Sequence, residues 1–216
     1  MVSDLEREST NRCEGTTMRV TTTLALAFIL VAFCAVAQEE SKKPKVSTNV
    51  LTDEQLAVYR AVLKDYMKDS RGKLNLSSKT YPMKLDEGCA EGIKPEQTEN
   101  AVLHSFAAAL TPNVILVDPE QQETKIKQND PQNLMKKAID EREAVTDKQL
   151  NESVELAFST GLFSFSEIIF DKGHRHAIVA YRFVCGSLCG HGNDLVLIRT
   201  GNKWKVKGSC GVSWVS

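Results

Sequence analysis

AIVAYRFVCGSLCGHGNDLVLIRTGNKWKV, residues 177–206, decides the architecture of this 216-residue chain. It contains two turn signals that can be registered independently. Reading Gly186-Ser187-Leu188 as a three-residue hairpin loop brings Cys185 opposite Cys189. Val179 then faces Leu195 and Ala177 faces Leu197, while Ile178 meets Val196 on the other face and Arg182 lies diagonal to Asp194. Reading Gly201-Asn202 as a two-residue turn sets Thr200 opposite Lys203, Arg199 against Trp204 and Leu197 against Val206. Both turns yield one apolar face, carrying Val179, Leu195, Leu197, Trp204 and Val206, with Lys203, Lys205 and Lys207 directed outward. An antiparallel meander over about 163–215 follows. Its weak point is Arg175 opposite Arg199, a like-charge pair that calls for fraying or a bulge. The preceding strand, Phe163 to Phe170, joins through Asp171-Lys172-Gly173, and its register stays open.

Upstream the period is helical. Thr52 and Gln55 form a capping box ahead of Leu56, Tyr59, Leu63 and Tyr66-Met67, a helix ending near Arg71-Gly72. Lys73 to Pro82 reads as a short edge strand, followed by a Gly-containing loop that holds Cys89. Val102, Leu103, Phe106 and Leu110 suggest a second helix over Pro95 to Leu110, stopped by Thr111-Pro112. Val114 to Val117 suits a buried strand, which Asp118-Pro119 ends. Asp130-Pro131 opens a third helix, and a fourth runs from Thr146, capped with Gln149, to Thr160 before Gly161. The expected class is α+β: N-terminal helices packed on a C-terminal antiparallel β-meander.

The N-terminus reads as a leader, residues 1–37. Met18-Arg19 begins a short n-region and is the expected true start; Leu24 to Val36 is an uncharged run, and Ala35-Val36-Ala37 is a small-x-small cleavage signature. The run is short of the ~18–20 apolar residues a spanning helix needs. Lipid anchoring at Cys34 is the weaker alternative, because bulky Phe33 precedes it. Residues 38–50 form a flexible linker and 51–216 a single domain. The leader removes three basic and four acidic residues, leaving 24 of each. A balanced charge lacks the field that drives nucleic-acid binding, and no stable membrane span is expected after cleavage. The expected location is secreted or periplasmic.

Cleavage also leaves four cysteines, Cys89, Cys185, Cys189 and Cys210. In an oxidising compartment four cysteines favour two disulfides. Facing positions favour Cys185–Cys189; Cys210, opposite Asn193, is too far along the strand from that tip, so it goes to Cys89. Other chemistries are weaker. A zinc site from Cys185, Cys189, His191 and His174 or His176 has a loose Cys-x3-Cys spacing and distant histidines. A cysteine nucleophile beside His191 needs a thiolate that a cystine lacks. His104 falls on a helical stripe and reads as packing or surface, while His174 and His176 flank Arg175 on alternating faces. Glu167, inside an apolar strand, is the most interesting acid: a general base if it enters a cavity, an exposed strand position on the blander reading. Asn75-Leu76-Ser77 and Asn151-Glu152-Ser153 are glycosylation sequons only in a eukaryotic host. There is no phosphate loop, nucleophile elbow or HExxH, and no cofactor is expected.

The run Phe165-Ser166-Glu167-Ile168-Ile169-Phe170-Asp171, the CGSLCGHG hairpin and Gly201-Asn202-Lys203-Trp204 resemble the C-terminus of a group of uncharacterised secreted bacterial proteins. The Val58 to Leu63 stretch is similar to their N-terminal part, and the resemblance implies no functional residues. The meander is also similar, at fold level, to nuclear transport factor 2-like domains, whose curved sheet and helices can enclose a pocket. The functional expectation is a disulfide-stapled module that binds a small molecule or an envelope protein without catalysis. The alternative is a cofactor-free hydrolase or lyase with a pocket between sheet and helices.

Overall fold

The computed structural model describes residues 49–68, 72–90 and 93–216. The expected leader, its cleavage position and Cys34 lie outside the described residues, as does most of the expected linker. In chain order the elements are β1 (Asn49–Val50), α1 (Asp53–Tyr66), β2 (Leu74–Ser77), β3 (Met83–Lys84), α2 (Glu87–Ala90), β4 (Glu99–Asn100), β5 (His104–Ser105), β6 (Val114–Val117), α3 (Pro119–Gln128), α4 (Pro131–Glu141), α5 (Asp147–Thr160), β7 (Leu162–Phe165), β8 (Ile169–Phe170), β9 (His176–Gly186), β10 (Cys189–Thr200) and β11 (Lys203–Val215). The fold is α+β. The principal sheet runs β11-β10-β9-β7-β2-β6, with β8 also on β9. The antiparallel meander β9-β10-β11 forms one half; β2, parallel to both β6 and β7, gives the other half a mixed character.

Through the middle of the meander the pairing is the one the two turns dictate. Leu195 faces Val179, Leu197 faces Ala177, and Trp204 faces Arg199. Ala177, Val179, Leu195, Leu197 and Trp204 are buried together with Val58, Tyr59, Val62 and Leu63 of α1 in the main core. The opposite face supplies Ile178 and Ala180 to a smaller core with Met83, Cys89 and Ile169. At the ends of the strands the register departs from expectation. Cys189 pairs with Gly186, so the tip is a two-residue turn, and a shift at Gly190 restores the rest. The Asp130 carboxylate holds this tight tip by accepting from Ser187 N at 2.7 Å. A bulge between Val196 and Leu197 places Cys210 opposite Asp194 rather than Asn193. A second shift seats the Trp214 indole over Gly192, where a Cβ would lie 2.3 Å from its ring nitrogen. Arg199 N still donates to Arg175 O at 2.9 Å, and the like-charge conflict is relieved by the Arg199 guanidinium, which reaches Glu54 Oε1 at 2.9 Å.

Several upstream expectations are corrected. The first helix ends at Tyr66, before Arg71-Gly72. The strand expected at an edge, β2, lies inside the sheet: Leu74 and Leu76 are buried, and α3–α5 return the chain so that β7 docks beside it. β6 is instead the edge strand, with Ile115 exposed. Cys89 sits in the short helix α2 rather than in a loop. No helix forms over 95–110; the segment is extended and contains β4 and β5. Its backbone donors are claimed from outside: Phe106 N donates to Ser78 O at 2.9 Å and His104 N to Glu167 Oε1 at 2.8 Å. Asn100 Oδ1 adds a local competitor by accepting from Val102 N at 3.2 Å. Asp118-Pro119 ends a strand and also starts α3, with Asp118 as N-cap and proline in the first turn. The Asn75 amide of the first sequon is occupied structurally, donating to Ser159 O and Gly161 O at 2.9 and 3.1 Å.

Two disulfides close the structure. Cys89 and Cys210, 121 residues apart with Cα atoms 4.8 Å apart, tie the segment before β4 to β11. Cys185 and Cys189, with Cα atoms 5.1 Å apart, close the β9–β10 tip. The bridges differ in reach, since the entropy removed from the unfolded chain grows with loop length. Replacing Cys89 and Cys210 by alanine is expected to lower stability by about 5 kcal/mol, and replacing Cys185 and Cys189 by about 2 kcal/mol. Denaturant titration of the two double variants checks the order.

Candidate functional site

The expected first strand is broken into β7 and β8 by Ser166-Glu167-Ile168, and the break is built with care. β7 and β8 pair with β9 in registers that differ by one residue, so this stretch is a bulge. Ser166 N donates to Ala180 O at 2.9 Å, and Ser166 Oγ accepts from Ala180 N at 2.8 Å while donating to Glu167 O at 2.7 Å. Tyr59 Oη donates to Ser166 O at 2.9 Å, and Glu167 N donates to Tyr81 O at 2.7 Å. The bulge turns Glu167 inward, where it is fully buried, so the exposed-strand reading is overturned. One carboxylate oxygen accepts from Thr80 Oγ1 and His104 N; the other lies 2.7 Å from His104 Nδ1. His104 is therefore neither helical nor a surface residue, but the partner of a buried acid. Burial, followed by the nearby Glu167 charge, raises the Tyr59 pKa well above its ordinary value, keeping the phenol protonated as a donor.

Two other histidines go to separate acids. His174 Nδ1 lies 2.9 Å from Glu54 Oε2 with its ring stacked on Phe170, and His176 Nδ1 lies 3.0 Å from Asp171 Oδ2. The disulfides occupy all four cysteines among the described residues, Cys89, Cys185, Cys189 and Cys210, which removes the thiolates that a zinc site or a cysteine nucleophile at the hairpin requires. Among the described residues no group of three His, Cys, Asp or Glu is arranged to hold a metal ion.

Open space lies elsewhere, between the α4–α5 pair and the β9–β10 tip. The N-cap of α4, Asp130, accepts from Gln132 N at 3.0 Å and from Ser187 N at 2.7 Å, fastening the helix start to the hairpin. Burial works against its charge, but these hydrogen bonds outweigh it and hold its pKa below the usual carboxylate range. α4 buries none of its side chains and α5 only Ala157. Met135, Ile139, Val154, Phe158 and Leu188 stay exposed, Phe158 at 56% and Leu188 at 71%. Between them is a cleft of about 460 Å³, walled by Met135, Val154, Ala157, Phe158, Leu188 and the Cys185–Cys189 bridge, with His191 and Asp130 also lining it. Its size falls in the range of small-molecule sites, and its apolar walls suit one. His191 stacks on Tyr66, with ring centroids 5.8 Å apart and Nε2 at 3.2 Å from the Tyr66 hydroxyl. Burial lowers the His191 pKa and raises that of Tyr66 to about 12, so both are neutral at pH 7. Of the residues singled out in the sequence, Cys185, Cys189 and His191 line the cleft, while Glu167, His104, His174 and His176 do not. The signal that marks it is the set of apolar residues on α4 and α5 that no core claims.

No family model, curated protein or solved structure matches the chain.

Two tests follow from these contacts. Glu167→Ala leaves the His104 ring nitrogen without its buried partner, while His104 N and Thr80 Oγ1 keep the bonds they make to Thr80 Oγ1 and His104 O, and is expected to cost about 3 kcal/mol in a urea titration. For His191 the folded state disfavours the proton, so its effect is absent above the ordinary value of 6.5 and grows as pH falls below it. His191→Phe is expected to lose part of the acid destabilisation that wild type shows below pH 6.5, read from melting temperature against pH.

Proposed function

We propose that this chain is a non-catalytic module that takes up a small apolar molecule in the cleft between α4, α5 and the β9–β10 tip, and that it works outside the cytoplasm. The carrying observation is the 460 Å³ cleft with exposed Met135, Val154, Phe158 and Leu188 along its walls. An accessible apolar patch of this kind is uncommon on a monomer without a ligand or partner to cover it. Two disulfides fit an oxidising compartment, and among the described residues no helix is long and apolar enough to cross a membrane. The secretory leader, cleavage after Ala37 and kinship with the uncharacterised secreted bacterial proteins belong to the same reading.

The competing reading, a cofactor-free hydrolase or lyase, draws on the convergence of Glu167 and His104. Against it stand the full burial of the carboxylate and the occupation of both its oxygens. None of the five clefts described around the molecule is lined by either residue.

A solvatochromic dye such as Nile red tests the proposal. It is expected to bind with a blue-shifted emission, and Leu188→Asp, at an exposed position that should not disturb folding, is expected to weaken that binding at least tenfold. Dye binding indifferent to Leu188→Asp and to Val154→Glu would place any apolar site elsewhere and defeat the reading.

A further inference from the structure

A second space adjoins the cleft at Phe158. A second cleft of about 380 Å³, walled by Tyr66, Met67, Leu74, Phe158 and Phe183, has Phe158 and His191 in common with the first. Phe158 lies parallel to Phe183 at 6.2 Å between centroids, so one aromatic side chain, exposed and attached to α5, stands at the junction. The two spaces therefore adjoin at Phe158 and His191, and a ligand that lay in both would be long rather than round.

Charge gives this path a direction. Asp130, held ionised by its hydrogen bonds, is the charged side chain along the first cleft. Lys73 is the charged side chain along the second; it is exposed and makes no ion pair among the described residues. His191, at the junction, is neutral at pH 7 because burial lowers its pKa. An anionic group is thus favoured at the Lys73 end and disfavoured beside Asp130, while the stretch between is apolar. An alkyl ammonium would experience the reverse field.

We infer that the ligand is a linear alkyl carboxylate, a free fatty acid, lying across both clefts with its carboxylate at Lys73 and its tail against Met135, Leu188 and the Cys185–Cys189 bridge. The inference rests on the apolar-cleft reading above and adds the ligand's class and orientation. A bulky aromatic ligand would fill one cleft and leave the other empty. A phospholipid in a bilayer has the same kind of chain, and the experiment separates that source from the free acid.

The test uses the full chain with Nile red bound, titrated with octanoate, decanoate and dodecanoate below their micellar concentrations. Each is expected to displace the dye, with affinity rising about fourfold per added methylene, since each buried CH₂ is worth ~0.8 kcal/mol. Lys73→Glu is expected to weaken dodecanoate by about three- to tenfold, as for an exposed ion pair, with dye affinity unchanged. Dodecylamine is expected to compete more weakly than dodecanoate in wild type and to gain in Lys73→Glu. Three results overturn the inference: alkanoates that fail to displace bound dye, a Lys73→Glu variant with unaltered dodecanoate affinity, or attachment to phosphatidylglycerol vesicles that free dodecanoate does not compete. In each case dye binding that remains sensitive to Leu188→Asp leaves the apolar-cleft reading standing, whereas loss of that sensitivity defeats both.

Discussion

The Glu167 carboxylate, buried against Thr80 and His104, is the interaction around which the fold is arranged. Removing an ionised carboxylate from water costs several kcal/mol unless donors surround it. Here donors come from two stretches far away in sequence, Thr80 just after β2 and the backbone and ring of His104 in β5. The bulge that turns Glu167 inward also breaks the strand into β7 and β8, each paired with β9 in its own register. The same carboxylate thus fixes the path of 99–106, whose backbone would otherwise be free to follow the helical period of its apolar residues. The bulge stands where the strand passes between two cores: Phe165 and Ile168 belong to the large one and Ile169 to the small one.

Asp130 performs a comparable service at the surface. As the N-cap of α4 it satisfies Gln132 N, and its second oxygen accepts from Ser187 at the hairpin tip. One side chain therefore sets the distance between a helix that buries nothing and a hairpin closed by a short disulfide. The space left between them is the cleft. The two bridges divide the labour similarly: Cys89–Cys210 joins distant parts of the chain, while Cys185–Cys189 stiffens one wall locally.

The meander was legible because its two turns are short and each fixes a register, and because a one-residue slip would expose Leu195, Leu197 and Trp204 together. The capping boxes at Thr52 and Thr146 were legible for the same reason, being local chemistry. The segment 95–110 was not. Val102, Leu103, Phe106 and Leu110 carry a helical period, but the donors and acceptors that decide its conformation come from Ser78, Thr80 and Glu167. That competition is invisible without the fold. β2 was misplaced at an edge because a four-residue strand shows nothing of its neighbours, and its place inside depends on the crossover through α3, α4 and α5. Of the candidate site, the cysteines and His191 were within reach of sequence reasoning. The apolar faces of α4 and α5 were harder to judge, since a stripe that faces a core and one that faces solvent look alike.

The separation of the two notable regions bears on what the molecule can do. Acid–base catalysis requires an acid or base within hydrogen-bond reach of a substrate, in space that a substrate can enter. In this protein the acid and histidine that converge lie where side chains are packed, with every carboxylate oxygen already engaged. The open space is lined mainly by aliphatic and aromatic groups and a disulfide, together with Asp130, the N-cap of α4, and a neutral histidine held by Tyr66. Polar convergence without access makes Glu167 and His104 a structural tie, while in the open cleft Asp130 is engaged by Gln132 N and Ser187 N and His191 by the Tyr66 hydroxyl. The enclosure of the Glu167–His104 pair, and the engagement of Asp130 and His191 with other groups, are the physical ground on which the binding proposal rests.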